Sequence, residues 1–270
     1  MVRIESPNSI NVFKQCPRKY YYSYKLKLPR KDSIATLTGK AVHDAAEHFY
    51  KLGLEGVSKE NYRAEFRQRL MSLFNDNWQK IVPDLLKLGI ETEVIKKHYE
   101  DSFGMLENFF SFVIDKLHQR TNTGKTFEEA FEEITPATEL YLKSPTYKIQ
   151  GYVDAIHKEA DGFHILDYKT SKRDHVSPDY RRQLAIYALV YQELHGVAPS
   201  RVGLLFLRAG THKDIAVNEN LLLEAKKDCE WIHTQTGSDH VDDYPKRLNP
   251  LCKWKTGQCD FYDSCFEKKE

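Results

Sequence analysis

The sequence predicts a mixed α/β protein, helical in its first half and strand-rich with flanking helices in its second. Three observations predict this. Before about residue 120, apolar residues recur at three- and four-residue steps, as in Phe103, Leu106, Phe109, Phe110, Val113 and Leu117. From about Thr126 the texture changes to shorter segments that read as strands. Among these lies one well-punctuated helix, with Ser177 as N-cap, Pro178 in the first turn and Gly196 as the stop.

Taken in order, the first expected helix runs from Ser9, as N-cap, to about Tyr24. A second starts near Thr38 and ends near Leu52, and two longer ones follow over roughly 59–80 and 91–120. Strands are expected around 129–142, 147–158 and 163–170, then the helix of Ser177, then strands over 201–208 and 213–217. A further helix reaches about His233, and the tail from Ser238 is loop-like and ends in a cysteine cluster.

With 270 residues, 41% of them hydrophobic and 29% charged, the composition is globular, and the chain is long enough to bury a sizeable core. The net charge of +1 removes any global electrostatic case for nucleic-acid binding, so a basic surface must be local. The first residues carry no apolar signal core, and no segment approaches the ~18 apolar residues of a membrane span. A soluble, cytoplasmic protein is expected. The five cysteines are Cys16, Cys229, Cys252, Cys259 and Cys265. An odd count without an export signal argues against a disulfide framework, and three of them crowded at the C-terminus suggest a metal or cluster. Cys229 falls mid-helix among apolar residues and reads as a packed thiol.

The most informative stretch is Gly151-Tyr152-Val153-Asp154 followed by Ile165-Leu166-Asp167-Tyr168-Lys169-Thr170. Asp161-Gly162 between them signals a tight hairpin. A two-residue loop at Asp161-Gly162 would put Asp154 opposite Lys169, with Asp167 on the same face two residues away. Two close carboxylates repel each other and are best stabilised by a divalent cation; oxygen ligands suit Mg2+ or Mn2+. An ammonium beside them can orient a water and offset charge on a phosphate. The plainer alternative is a surface hairpin carrying a cross-strand ion pair.

These residues resemble the RecB-like branch of the PD-(D/E)xK nucleases over nearly the whole chain. Ser9-Ile10 through Cys16-Pro17-Arg18-Lys19-Tyr20 is similar to the N-terminal helix of that branch. Gly39 and His43 match its Gly-x-x-x-His motif, Gly151 and Asp154 its Gly-x-x-Asp, Asp167-Tyr168-Lys169-Thr170 its Asp-Tyr-Lys-Thr core, and Gln183 and Tyr187 its Gln-x-x-x-Tyr. The resemblance implies a single nuclease domain over 1–270, with a restriction-endonuclease-like mixed central sheet flanked by helices. A helical insertion would occupy about 55–125 and a cysteine clasp about 250–266. It implies metal-dependent hydrolysis of DNA, on single strands or free ends, in the setting of repair, phage replication or CRISPR adaptation. His43, Asp154, Asp167 and the Tyr168 carbonyl are the implied metal ligands, Lys169 the catalytic ammonium, and Gln183 and Tyr187 the residues that steady the site. Glu139, on the strand before the hairpin, is either a further ligand or a solvated strand residue.

Some members of this branch hold a [4Fe–4S] cluster on one N-terminal and three C-terminal cysteines, which maps here onto Cys16, Cys252, Cys259 and Cys265. Six residues separate Cys252 from Cys259, a longer gap than the family's usual one, and Zn2+ on the same thiolates is the alternative. For DNA, Lys14, Arg18 and Lys19 interleave with Tyr20, Tyr21 and Tyr22, while Lys172, Arg173, Arg181 and Arg182 follow the catalytic strand. The run Asn122-Thr123-Gly124-Lys125-Thr126 is not a phosphate-binding loop, because position 119 is Gln where a glycine is required. With no helicase motor in the sequence, an ATP-driven helicase or recombination partner would be a separate chain. Two rival readings remain, a catalytically silent DNA-binding or assembly subunit and an RNA-directed nuclease.

Overall fold

The computed structural model describes residues 3–255 and 257–266; the outer limits of the expected domain, at 1 and 270, lie outside them. The chain opens with α1 (Pro7–Gln15). Its cap is Ser6, with Ser9 completing a reciprocal capping box, so the expected cap at Ser9 moves back by three residues. The helix does not continue to Tyr24. Pro17 forces the preceding Cys16 into extended backbone (φ −161°), and the chain restarts as the short α2 (Pro17–Tyr20), which runs into a π-helical turn over Tyr21–Lys25. Buried Glu5 ties this corner together, accepting hydrogen bonds from Ser9 (2.6 Å) and from Tyr20.

Helix α3 (Ile34–Phe49) starts a turn earlier than expected, capped by Ser33. The long helices α4 (Tyr62–Lys87) and α5 (Thr92–Thr121) follow; α5 matches expectation, and α4 runs about two turns beyond the expected end near 80. The stretch expected as a strand over 129–142 begins instead as α6 (Phe127–Ile134). Thr126 and Glu129 form a capping box, and Phe127, Ala130, Phe131 and Ile134 bury one face at helical spacing. Only then comes β1 (Ala137–Ser144), followed by β2 (Ile149–Glu159) and β3 (Gly162–Lys169). Helix α7 (Pro178–His195) has Ser177 as N-cap and Gly196 as a left-handed C-cap, as expected. It is the crossover to β4 (Arg201–Phe206), which is followed by β5 (Thr211–Ala216) and α8 (Glu219–Gln235). The tail carries a small hairpin, β6 (Lys253–Trp254) with β7 (Gly257–Gln258), and α9 (Tyr262–Phe266).

The five main strands form one mixed sheet in the order β1-β2-β3-β4-β5, parallel between β3 and β4 and antiparallel elsewhere. This is the mixed sheet flanked by helices that the sequence predicts, with the helical half first. The sheet is covered on both faces. Ile165, Val202, Leu204 and Phe206 pack on α7, α1 and α8; Leu166, Tyr168, Leu205 and Leu207 pack on the layer built from α3 to α6. Covering on both faces leaves the centre of β3, His164 to Tyr168, buried without a break instead of in alternation. No helix among the described residues is long and apolar enough to cross a membrane.

The two layers meet at Phe109 of α5, fully buried and edge-on to Phe49, Tyr50 and Tyr168 at 5.8, 5.9 and 5.6 Å between ring centroids. Phe109→Ala is therefore expected to cost about 3–5 kcal/mol. Denaturant unfolding measures this directly, and a loss under ~1 kcal/mol would mean that the helical layer does not brace β3 as described.

Candidate active site

The hairpin that places the acidic residues has a register two residues away from the expected one. Glu159 pairs with Gly162 and Ala155 with Leu166, so the two-residue turn is Ala160-Asp161, and continuing the register sets Asp154 against Asp167. Because the slip is an even number, side-chain parity is kept and Asp154, Asp167 and Lys169 still gather at one end of the hairpin.

The ladder between β2 and β3 stops at Ala155, and Asp154 Oδ2 accepts a hydrogen bond from the Tyr168 N–H at 2.6 Å. The carboxylate thus takes a backbone donor that the strand no longer satisfies. Alternation along β2 slips at the same point: Val153 and Ile156, three residues apart, both join the cluster under α7. Across the pair to β1, Glu139 has a left-handed backbone (φ 53°). The irregularity opens the strands around Asp154.

From α3, His43 places Nδ1 3.6 Å from Asp154 Oδ2 and 3.9 Å from Glu47 Oε1. The ligand atoms of His43, Glu47 and Asp154 all lie within 4.8 Å of one another. Gly39 explains the spacing of the Gly-x-x-x-His pair: a Cβ there would come within 3.2 Å of Thr170 Oγ1, so a glycine lets α3 approach the end of β3. From the opposite face, α7 contributes Gln183 and Tyr187. Gln183 Oε1 accepts from Lys169 Nζ (2.9 Å), and its Nε2 donates to Asp167 Oδ1 (3.0 Å) and to the Tyr187 hydroxyl (3.0 Å). Gly151 makes room for that tyrosine, since a Cβ would meet Tyr187 Cε1 at 3.0 Å. Lys169 Nζ lies 2.5 Å from Asp167 Oδ2 and over the Tyr180 ring at 4.7 Å.

The electrostatics are those of a charged cluster withdrawn from water. Burial, and then repulsion from Asp167, push the Asp154 carboxyl up to about 7, against the pull of His43 and the Tyr168 N–H. Burial raises Glu47 as well, although His43 pulls the other way. Burial opposes the charged forms of His43 and Lys169, but their carboxylate neighbours outweigh it and raise both. Asp167 Oδ2 is buried and, despite the nearby ammonium, accepts no well-directed hydrogen bond. Crowded, desolvated carboxylates beside an imidazole, one of them with an orphaned oxygen, fit a hard or borderline divalent ion.

The structure thus brings together His43, Asp154, Asp167, Lys169, Gln183 and Tyr187. It adds Glu47, which the sequence reading missed; its position four residues after His43, on the same helix face, was the available signal. Glu139 pairs with Lys51 at 2.8 Å at the outer rim, next to Glu47. The expected DNA-facing groups fare unevenly. Tyr20, Tyr21 and Tyr22 are buried in the core and offer no stacking faces. Arg181 is engaged by Glu224, Arg182 by Asp228 and Asp179, and Lys14 by Asp228. Lys19 and Lys172, by contrast, line two clefts that meet at Lys169 and Tyr180.

A mixed sheet opened at an acidic hairpin, with an ammonium two residues on and a histidine–carboxylate helix beside it, defines the class: a nuclease. The chain belongs to the PD-(D/E)XK nuclease superfamily, whose family model matches residues 5–266. Among solved structures, a crystal structure from Eubacterium rectale described as a "putative exonuclease" is similar in fold, with a TM-score of 0.50 and 12% identity over 99% of this chain and 94% of that one. None of the curated proteins matches the chain.

The raised Asp154 pKa has a consequence for the metal-free chain. Unfolded, this carboxyl ionises near ~3.9; folded, it keeps its proton to about pH 7. The fold therefore binds the extra proton between those values, and raising pH through this window destabilises it. In EDTA, Asp154→Asn should melt above the wild type, with the full difference above pH 7 and a shrinking one as pH falls toward ~4. A difference that stays constant across this window in thermal melts would contradict the electrostatic account.

Proposed function

We propose that this chain is a divalent-metal-dependent deoxyribonuclease of the RecB-like branch, acting on single-stranded DNA or on free DNA ends. The observation that carries the reading is the convergence of Asp154, Asp167 and Lys169 with His43 and Glu47, from both faces of the sheet, on one opened hairpin. Mg2+ or Mn2+ would be held by His43, Asp154 and Asp167, with the Tyr168 carbonyl completing the shell and Glu47 at hand; when bound it supplies activation of water and neutralises charge on the phosphate. The imidazole favours Mn2+ as a substitute.

The chain's own groups do the rest. Lys169 stays protonated beside Asp167 and presents an ammonium to charge developing on the scissile phosphate. Gln183 is a positioning residue: one amide fixes Lys169 through its oxygen and Asp167 and Tyr187 through its nitrogen. Two clefts of about 430 and 340 Å³ meet at Lys169 and Tyr180, one lined by Asn8, Asn11 and Lys19, the other by Thr170, Lys172 and Arg208. That arrangement supports a strand passing across the ammonium with Tyr180 as a stacking face.

Asp167→Ala and Lys169→Ala should each reduce cleavage by at least ~100-fold while DNA binding persists, because they remove transition-state stabilisation and leave Lys19, Lys172, Tyr180 and Arg208 of the clefts in place. End-labelled single strands should be cut faster than sealed duplex or RNA in Mn2+, and binding should weaken with salt. Near-normal turnover by either variant would sink the catalytic assignment, and preference for RNA would redirect the substrate.

Cys16, Cys252, Cys259 and Cys265 line one cavity between the α1–α2 corner and the β6–β7 tail, which supports a [4Fe–4S] cluster clasping the two ends of the chain. Cys229 is buried in α8 and apart from it. Anaerobically purified protein should be brown, with roughly four irons per chain, and Cys259→Ala should lose the colour while Cys229→Ala keeps it. Zinc in metal analysis would replace the cluster by a zinc clasp, and no metal would leave the cysteines as packing residues.

A further inference from the structure

A second constellation of metal-binding side chains lies on β3 and β5, on the sheet face away from α7. His164 is three residues before Asp167 on β3 and so points to the opposite face. His212 and Asp214 are two apart on the edge strand β5, on one side of it, and Asp214 pairs directly with Gly203 of β4. Asp214 Oδ1 lies 3.0 Å from His164 Nε2 and 2.8 Å from His212 Nε2.

Three features distinguish this from an ordinary surface ion pair. First, His164 is 1% exposed; its Nε2 meets Asp214 at 3.0 Å without the geometry of a hydrogen bond, and its Nδ1 has no hydrogen-bond partner. A buried imidazole in that state requires an explanation. Second, the three ligand atoms surround a gap that exists because residue 203 is glycine. A Cβ there would sit 2.2 Å from Asp214 Oδ1, 2.9 Å from His164 Nε2 and 3.2 Å from His212 Nε2. Third, the far nitrogen of His164, Nδ1, faces Glu159 Oε1 at 3.6 Å. That carboxylate lies behind the imidazole, beyond hydrogen-bond distance, and is itself held by Lys116 at 2.9 Å.

We propose that His164 Nε2, His212 Nε2 and Asp214 Oδ1 form a second metal site, for Zn2+ or a similar borderline transition-metal ion. Two imidazoles and one carboxylate suit such an ion better than Mg2+. Three protein ligands leave a fourth position, which opens on a cavity of about 370 Å³ lined by Lys116, Gln119, Glu133 and Arg201, where water completes the coordination. Phe112 of α5, 5.5 Å from the His212 ring, holds that ring over the gap. The ion spans β4 and braces the edge strand β5 to the central strand β3, through ligands separate from the catalytic cluster.

The test compares the wild type with β5 variants that share every cysteine and the whole catalytic cluster, so that zinc held elsewhere cancels. The full chain, wild type or His212→Ala, is loaded with Zn2+, passed through gel filtration in excess Mg2+ and assayed for zinc per chain, with circular dichroism to verify folding. The wild type should retain one zinc more than His212→Ala, and Zn2+ should raise its Tm more than that of the variant. Asp214→Asn, which keeps the shape of the side chain, should lose the same zinc and serves if His212→Ala fails to fold. In an Asp154→Asn background, His212→Ala should still remove one zinc. Equal zinc in wild type and both β5 variants, or no difference between Asp154→Asn with and without His212→Ala, overturns the proposal.

Discussion

The enforced nearness of Asp154 and Asp167 in a largely buried site is the constraint on which the rest of the structure depends. Burial first, and then the neighbouring Asp167, raise the Asp154 carboxyl to about 7. Three partners answer the repulsion. Lys169 sits against Asp167, the Tyr168 N–H against Asp154, and His43 against Asp154 from the helix above. A divalent cation, which members of this superfamily commonly use, would offset the remaining repulsion.

Holding that arrangement requires close approach from both faces of the sheet. On one side Gly39 lets α3 come down onto Thr170; on the other Gly151 leaves space for the Tyr187 ring. The site is therefore squeezed between two helices, and the amide of Gln183 is the crosspiece that fixes lysine, carboxylate and tyrosine in one geometry. The fully buried Tyr168 ring, packed on Phe109, anchors the strand from behind while its backbone N–H serves the site in front. Stability of the helical layer and shape of the site are thus coupled through one residue.

The same sheet carries unlike chemistry on its two faces because β3 alternates. Asp167 and Lys169 face α7, whereas His164 faces α5 with His212 and Asp214. Oxygen-rich ligands crowd the first centre and imidazoles the second, so the two favour different metals within one strand's length.

Much of this was legible in the chain. The motif spacings pointed to residues that the fold gathers in one place, the punctuation of Ser177, Pro178 and Gly196 fixed α7, and the long helical periodicities held except at the end of α4, which runs on from about 80 to Lys87. The hairpin register was wrong by two residues, yet the site survived because side chains alternate with period two and an even slip conserves the face. The strand expected at 129 became a helix because Thr126 and Glu129 cap it, a local signal outweighed in the reading by the change of texture. Glu47, the fate of the arginines and the burial of Tyr20 to Tyr22 were not legible, since each depends on which groups from distant segments arrive beside it. Sequence by itself determined which residue types stand at which spacing along a strand or helix, because those periods are local properties of the backbone. Only the tertiary structure decided which of them lost water, which found partners and which, like His164 above Gly203, were left facing a gap, because desolvation and pairing are set by neighbours hundreds of atoms away in the chain.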